Sequence, residues 1–181
     1  MTRWIRKAGV AAAFLFLLTA CGSPNLEDYR EKTPALDLVA YFEGTTDAWG
    51  LFQDRFGKVR RQFHVVIEGR VEGDVLILDE DFVYDDGETE NRVWRIRQTG
   101  PDSWEGEAEG VVGVATGERA GNALNWRYDF DLPFDGDTLR VHFDDWLWQQ
   151  NDRVMINRAY VSKFGIHLGE VIITFVKRDP A

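Results

Sequence analysis

The sequence predicts an all-β domain, an antiparallel up-and-down barrel of about eight to ten strands, and two observations lead to that prediction. Apolar residues recur at every second position over much of the chain, whereas a helical period is almost absent. Turn-forming residues separate these alternating stretches at short intervals. Because successive strands joined by short turns pair antiparallel, the pattern is typical of a meander.

The alternating stretches follow one another in order, each with one apolar face. They are residues 63–67, 76–82, 126–130, 139–143 and 171–175. Turn signals stand between them at Glu72-Gly73-Asp74, Asp85-Asp86-Gly87, Thr99-Gly100-Pro101-Asp102, Gly117-Glu118, Asp135-Gly136-Asp137, Asn151-Asp152 and Lys163-Phe164-Gly165. Upstream, residues 36–42 fit a short helix and residues 49–56 begin the sheet. We expect one β-domain over residues 35–178.

A meander of this length has two edge strands, and an exposed strand edge invites pairing with other chains. Closure into a barrel removes both edges. A calycin-like or lipocalin-like barrel is therefore the favoured architecture. A sandwich of two β-sheets is the alternative.

The first twenty residues predict an export signal. Arg3, Arg6 and Lys7 precede an uninterrupted small and apolar run over residues 8–20, as in a basic n-region followed by an h-region. At about 1.5 Å per residue this run spans only about 20 Å as a helix, well short of the roughly 30 Å hydrocarbon core. A signal peptide over residues 1–20 is the interpretation.

The end of the apolar run, Leu18-Thr19-Ala20-Cys21, resembles the lipobox of bacterial lipoproteins, in which the cysteine carries lipid. Cys21 is the only cysteine, so it cannot form a disulfide within the chain. An ordinary secretory signal that leaves an unmodified cysteine is the alternative. Residues 21–34 are then lipidated Cys21 and a tether. Because Gly22 stands where an inner-membrane retention aspartate would be, we expect the periplasmic face of the outer membrane.

The charge balance limits the partners. The whole chain has a net charge of −10, and removal of the first twenty residues takes away three basic residues and no acidic one. Nucleic acids and anionic lipid headgroups both select clustered Lys and Arg. We therefore expect no nucleic-acid partner, and membrane attachment through lipid on Cys21 instead of a basic patch.

Several short blocks of the chain resemble those of a family of small proteobacterial lipoproteins, domain of unknown function 3833. The blocks are Phe42-Glu43-Gly44, Ala48-Trp49-Gly50, Phe52-Gln53-Asp54-Arg55-Phe56-Gly57, Asp79-Glu80-Asp81-Phe82, Tyr84-Asp85-Asp86-Gly87, Arg92-Val93-Trp94, Gly121-Asn122-Ala123, Phe143-Asp144-Asp145-Trp146, Asn157-Arg158-Ala159 and Lys163-Phe164-Gly165. The resemblance covers residues 35–177. It implies the lipoprotein location and genes beside enzymes that modify lipid acyl chains, but no activity or catalytic residue.

Signals for catalysis are weak, so an enzyme is the less favoured class. No Gly-x-Ser-x-Gly nucleophile elbow occurs, and the three histidines, His64, His142 and His167, lack the paired spacing of metal ligands. We predict no catalytic residue, metal or cofactor. Asp144-Asp145 beside Glu80 could form an acid/base pair of the glycosidase kind, although such pairs also arise by chance among 31 acidic residues.

Signals for binding are stronger. A barrel of this size can hold one small ligand among apolar and aromatic side chains. Tryptophans could supply such walls, and Trp94, Trp126 and Trp146 are the candidates, although plain core packing explains strand aromatics as well.

Arginines inside predicted strands are candidates for binding an acidic headgroup. Period two places Arg158 and Tyr160 on one face, and Arg-x-Tyr late in a barrel resembles the pair that holds a carboxylate in intracellular fatty-acid-binding barrels. A structural ion pair from Arg158 to Asp144 or Asp145 is the alternative. Arg127 presents the same choice.

Three functions follow from these patterns. The favoured one is a lipoprotein whose barrel binds or carries a fatty acid, phospholipid or similar amphiphile, which requires an apolar cavity. The second is an assembly lipoprotein with a filled core and a partner surface around Trp146 and Trp148. The third is an enzyme acting on envelope lipid or glycan, which requires converging carboxylates with shifted pKa values.

Overall fold

A computed structural model describes residues 24–134 and 136–179, and these form a closed barrel of ten strands. The elements are a 3₁₀ helix (Leu26–Tyr29), α1 (Leu38–Phe42), β1 (Gly44–Asp54), β2 (Val59–Glu72), β3 (Val75–Tyr84), β4 (Thr89–Gly100), β5 (Ser103–Glu107), β6 (Val111–Ala120), β7 (Ala123–Phe134), β8 (Asp137–Gln149), β9 (Val154–Lys163) and β10 (Ile166–Lys177). The predicted signal peptide and Cys21 lie outside the described residues. No helix within the described ranges is long and apolar enough to cross a membrane.

The strands follow the barrel wall in chain order, and every neighbouring pair is antiparallel. Pairing of β1 with β10 closes the sheet over a register that runs from Thr46 opposite Lys177 to Asp54 opposite Gly169. The predicted antiparallel barrel is confirmed. Every strand therefore has a neighbour on both sides, although the short β5 pairs with only residues 95–100 of β4. Covering strand edges is the physical reason a long meander adopts this form.

The two ends of the barrel differ. At one end, which we call the closed end, α1 covers the opening, and its Leu38 and Phe42 are buried against the barrel interior. The Asp37 side chain caps α1 by accepting a hydrogen bond from Ala40 N at 3.0 Å. The other end, which we call the mouth, carries the β1–β2, β3–β4, β5–β6, β7–β8 and β9–β10 turns.

One predicted turn, Gly117-Glu118, is wrong, because both residues lie within β6 and the turn comes at Gly121-Asn122. The Trp126 ring explains the glycine. A Cβ on Gly117 would stand 2.2 Å from this ring, and a Cβ on Gly106 would stand 2.7 Å from it. The glycines therefore make room for a large inward side chain.

The segment before α1 packs on the outside of the closed end, where a tether was predicted. The ring of Tyr29 lies 6.2 Å from that of Trp146 and 6.1 Å from that of Trp148. Leu36 is fully buried, and its N–H donates to Gly121 O at 2.8 Å. Burial of these apolar side chains holds the segment in place. The sequence around them is mostly polar, and the pattern therefore predicted a tether.

This contact gives a stability prediction for Gly121→Ala. Gly121 has φ +53°, and a Cβ there would stand 1.8 Å from Tyr29 O. We expect a loss of about 2–3 kcal/mol in the free energy of unfolding, measured in urea, from backbone strain plus displacement of the segment. Gly87→Ala is the control, because Gly87 has φ +86° but nothing within 4 Å of its Cβ position. Equal losses in the two variants would show that the contact contributes nothing.

Candidate ligand-binding cavity

The barrel encloses a cavity of about 470 Å³. It extends from α1 at the closed end to residues near the mouth, and its volume lies within the range of pockets that hold small molecules. Most of its lining is apolar, including Leu38, Phe42, Ala48, Phe63, Val65, Ile67, Leu78, Trp94, Trp126, Phe143, Leu147, Ala159, Ile173 and Phe175. Period two along the strands produces this lining, since alternate residues point inward.

The lining also contains polar side chains, and four of them form what we call the polar belt: Glu80, Arg92, Asp145 and Asn157. The Tyr128 phenol lies among the same charged groups. Glu80 on β3 is paired in register with Arg92 on β4. Asp145 and Asn157 come from β8 and β9, and β8 is opposite β3 in the ten-strand order. Charge from Asp145 nevertheless acts on Glu80, so the two carboxylates face each other across the lumen.

Arg92 is held between aromatic rings and one carboxylate. Its guanidinium carbon lies 5.1 Å from the centre of the Phe82 ring and 4.9 Å from that of Phe130. Its Nη2 donates to Glu90 Oε1 at 2.5 Å. Among the described residues, the buried Nε–H has no hydrogen-bond acceptor. Since an unmade buried hydrogen bond is costly, this donor is suited to an oxygen atom of a ligand.

Asn157 orients Asp145. The Asn157 Nδ2 donates to Asp145 Oδ1 and, at 3.1 Å, to Trp146 O. Only 2% of Asn157 is exposed. A buried amide fixed by the backbone in this way holds the carboxylate in one orientation.

Burial changes the acidity of both carboxylates in the belt. It raises the pKa of Glu80 to about 7, although the nearby Arg92 lowers it. Burial likewise raises the pKa of Asp145 to about 7, with a smaller opposing effect from the Asn157 hydrogen bond. Near neutral pH each group is therefore part protonated, so each can accept or donate a hydrogen bond.

A chain of polar contacts connects the mouth with the belt along one wall. The Arg61 guanidinium carbon lies 3.5 Å from the Tyr84 ring centre. The Tyr84 hydroxyl donates to Glu90 Oε2 at 2.6 Å, and Glu90 accepts from Arg92. Asp86 anchors Arg61 at the rim at 3.1 Å. The polar end of an entering ligand would meet charged groups along this wall.

The predicted headgroup pair lies outside the barrel. Asn157 and Ala159 point into the cavity, so the alternation places Arg158 and Tyr160 on the outer face. Arg158 forms an ion pair with Glu170 of β10, and not with either aspartate considered from the sequence. Neither residue can reach a ligand in the cavity, because the period-two pattern fixes which residues share a face but not which face is inward.

Of the other four predicted binding residues, two line the cavity and two lie outside it. Trp94 and Trp126 line the cavity, with ring centres 5.9 Å apart in an edge-to-face arrangement. Arg127 lies on the outer face, where its Nε donates to Asp144 Oδ1 at 3.3 Å. Trp146 is also outside the lumen and is only 1% exposed beneath Tyr29.

The assembly hypothesis required a filled core and exposed aromatics around Trp146. The described residues instead leave an internal cavity and cover Trp146. The polar belt itself was only partly anticipated. Glu80 and Asp145 were considered as a carboxylate pair, whereas Arg92 and Asn157 were missed. The signal for Arg92 was its alternation with Trp94, which places both side chains on one face.

Comparisons with known proteins agree with the fold. Among solved structures, an S-type phycobiliprotein lyase, CPES, from Guillardia theta matches with a TM-score of 0.62 and 9% identity, covering 87% of this chain and 100% of that chain. At this identity the likeness shows a lipocalin-like barrel and nothing about activity. No curated protein matches the chain. A family model described as "Protein of unknown function (DUF3833)" matches residues 15–177, and the chain therefore belongs to the DUF3833 family.

Proposed function

We propose that this protein is an outer-membrane lipoprotein, facing the periplasm, whose barrel binds or carries an acyl chain or a similar amphiphile. The cavity is the observation that supports the proposal. Its volume of about 470 Å³ and its apolar lining provide space for a hydrocarbon chain. Burial of that chain away from water contributes favourably to the free energy of binding. The similar barrel of a phycobiliprotein lyase supports a capacity for small ligands.

The polar belt supports an amphiphile over a pure hydrocarbon. A hydrocarbon alone would leave the Arg92 Nε–H and the carboxylates of Glu80 and Asp145 without new partners while removing cavity water from them. A ligand oxygen placed at the belt accepts from Arg92. The partly protonated carboxyl groups then complete the hydrogen bonds of a hydroxyl, carbonyl or acid group.

Displacement of a fluorescent polyene fatty acid tests this proposal. We expect saturable binding to the full chain, with competition by palmitic acid. Arg92→Met should weaken the affinity about tenfold, because it removes a hydrogen bond from a charged donor. Arg158→Ala is the matched control, and its affinity should equal that of the parent. Loss of binding in the control but not in Arg92→Met would place the ligand on the outer face and contradict the proposal.

The lipid anchor is tested separately from the cavity. Labelled palmitate supplied to growing cells should be incorporated into the parent chain and not into Cys21→Ser. Fractionation should place the parent in the outer membrane. Absence of label from the parent would remove the anchor from the proposal and leave the cavity unaffected.

A second candidate function is proton transfer on the bound amphiphile. The observation that favours it is the facing pair Glu80 and Asp145, both with pKa values raised to about 7, which suits general acid and base groups. Incubation with an envelope lipid extract in heavy water should then introduce deuterium into one lipid class. Glu80→Gln or Asp145→Asn should abolish the exchange. Unlabelled lipid after incubation with the parent protein would exclude this second function.

A further inference from the structure

Two phenylalanine rings project from neighbouring turns at the mouth. Phe56 in the β1–β2 turn is 79% exposed, and Phe164 in the β9–β10 turn is 93% exposed. Pairing of β1 with β10 brings the turns together, and Arg55 N donates to Leu168 O at 2.9 Å across them. Two large apolar side chains are therefore exposed to solvent at the same edge of the mouth.

The backbone at Phe164 is unfavourable for a bulky residue. Phe164 has φ 51° and Gly165 has φ 76°, as in a tight hairpin turn in which asparagine or glycine normally occupies the first position. Within residues 24–134 and 136–179, the cation–π contact of the Phe164 ring is with Lys163, whose Nζ lies 5.3 Å from the ring centre. A phenylalanine at this position therefore does not stabilise the fold. A contact of its ring with something outside the protein would explain why it is there.

The charge around these rings is opposite to that of the protein. Residues 54–60 and 163–167 contain four Lys and Arg residues and one acidic residue, whereas the whole chain carries −10. The acidic residue, Asp54, is paired with Arg60 at 2.5 Å. Among the described residues, Arg55, Lys58 and Lys163 have no ion-pair partner. The overall composition did not predict this basic surface, because a net charge does not show where the basic and acidic residues cluster.

We propose that the edge of the mouth formed by Phe56, Phe164 and the surrounding cations docks on an anionic lipid surface. Aromatic rings enter the headgroup region, and Lys and Arg contact the phosphates while their stems lie along the apolar surface. The acidic β3–β4 turn, with Asp85 and Asp86, is the next turn around the rim from the β1–β2 turn, and its Asp86 is paired with Arg61 of β2. Docking is therefore confined to the edge that runs from the β1–β2 turn to the β9–β10 turn, away from these acidic residues.

This position connects the docked lipid surface with the cavity. The segment before α1, which leads toward Cys21, packs at the closed end, so the docked surface is a different one from the membrane proposed to hold the lipid anchor. Phe52 on β1 and Leu168 on β10 line the cavity and belong to the strands that carry the two tips. An amphiphile leaving the bilayer at this edge would meet apolar side chains at once. The docking itself does not depend on the proposed ligand, so it can hold even if the cavity binds nothing.

The test measures co-sedimentation of residues 22–181, which lack the predicted signal peptide and Cys21 but contain the whole described barrel, with vesicles of phosphatidylcholine alone or with one-third phosphatidylglycerol. The tip variant is Phe56→Ser with Phe164→Ser, and the charge variant is Lys58→Glu with Lys163→Glu. The matched control is Val39→Ser with Val71→Ser, which removes two exposed apolar side chains away from the mouth. Every protein lacks residues 1–21, whose basic and apolar residues would bind vesicles by themselves, so differences between variants report the mouth.

We expect the parent to bind anionic vesicles at low salt, with high salt weakening the binding. The tip and charge variants should each bind about tenfold more weakly, and the control should bind like the parent. Phe164→Gly should also lose binding while its Tm stays equal or rises, which a folding role for the ring would not allow. Parent binding that is equal on both vesicle types, or unchanged in the tip variant, would overturn the proposal. Absence of vesicle binding by the parent would overturn it too, in favour of a protein partner.

Discussion

Replacement of Ala159 by phenylalanine should reduce ligand affinity by about 100-fold or more while the barrel remains folded. Ala159 is 2% exposed and lines the cavity from β9, so a phenyl group there occupies space that the ligand needs. The added ring extends into an existing void, and the loss of stability should therefore stay below that of overpacking a filled core.

Ile156→Phe is the matched control for this variant. Ile156 lies on the same strand but on the outer face, where it is 39% exposed. Displacement of the fluorescent fatty acid should give the parent affinity for Ile156→Phe. If Ala159→Phe bound as tightly as the parent, the ligand would not occupy the lumen, and the cavity would have no part in the function.

The second large effect concerns stability and pH. The pKa values of Glu80 and Asp145 are raised to about 7 in the folded state, well above their ordinary values, so the folded protein holds these protons more tightly than the unfolded chain. Their contribution to stability is present at low pH and is lost as pH rises through about 7. Unfolding in urea should therefore show a loss on the order of 3 kcal/mol between pH 5 and pH 8, limited by water in the cavity.

Glu80→Gln combined with Asp145→Asn should remove this loss. The free energy of unfolding of the variant, relative to that of the parent, should therefore rise between pH 5 and pH 8. Surface carboxylates do not interfere in this window. The pKa values of Asp47 and Asp131 are lowered by their arginine partners, so their contribution is lost only in stronger acid. A parent protein that is equally stable at pH 5 and pH 8 would mean that the belt carboxylates are not buried as described.

The barrel was predictable because its determinants are local. Alternation of apolar residues, as in 139–143, and turns such as Asp85-Asp86-Gly87 specify strands and hairpins within a few residues. Closure follows from the need to pair the edges. The short helix before the first strand was also within reach, since α1 lies inside the predicted 36–42.

The site was less predictable because it depends on which face is inward. A period-two pattern assigns Arg158 and Tyr160 to one face and Asn157 and Ala159 to the other, and both faces contain polar and apolar residues. Only the closed sheet shows that the asparagine points inward. Packing of Tyr29 on Trp146 was equally hidden, because it joins residues far apart in the chain.

The polar belt and the mouth together give a consistent picture of how an amphiphile would be held. In the two proposals, the apolar lining would accommodate the chain, Arg92 and the two carboxylates would bind the polar group, and the basic edge with its aromatic rings would contact the surface from which the ligand comes. Each part is tested by different variants. Failure of vesicle docking would leave the cavity proposal intact, and failure of ligand binding would leave the docking proposal intact.

An amphiphile held in the lumen in the cell should stay with the protein during a gentle extraction. The measurement is native mass spectrometry of the full chain, extracted from its own envelope in polymer nanodiscs without detergent, beside Ala159→Phe. We expect a non-covalent adduct with the mass of a fatty acid, phospholipid or related amphiphile on the parent and no such adduct on the variant. An adduct retained by Ala159→Phe, or a parent that carries none and binds no fatty acid on addition, would contradict it.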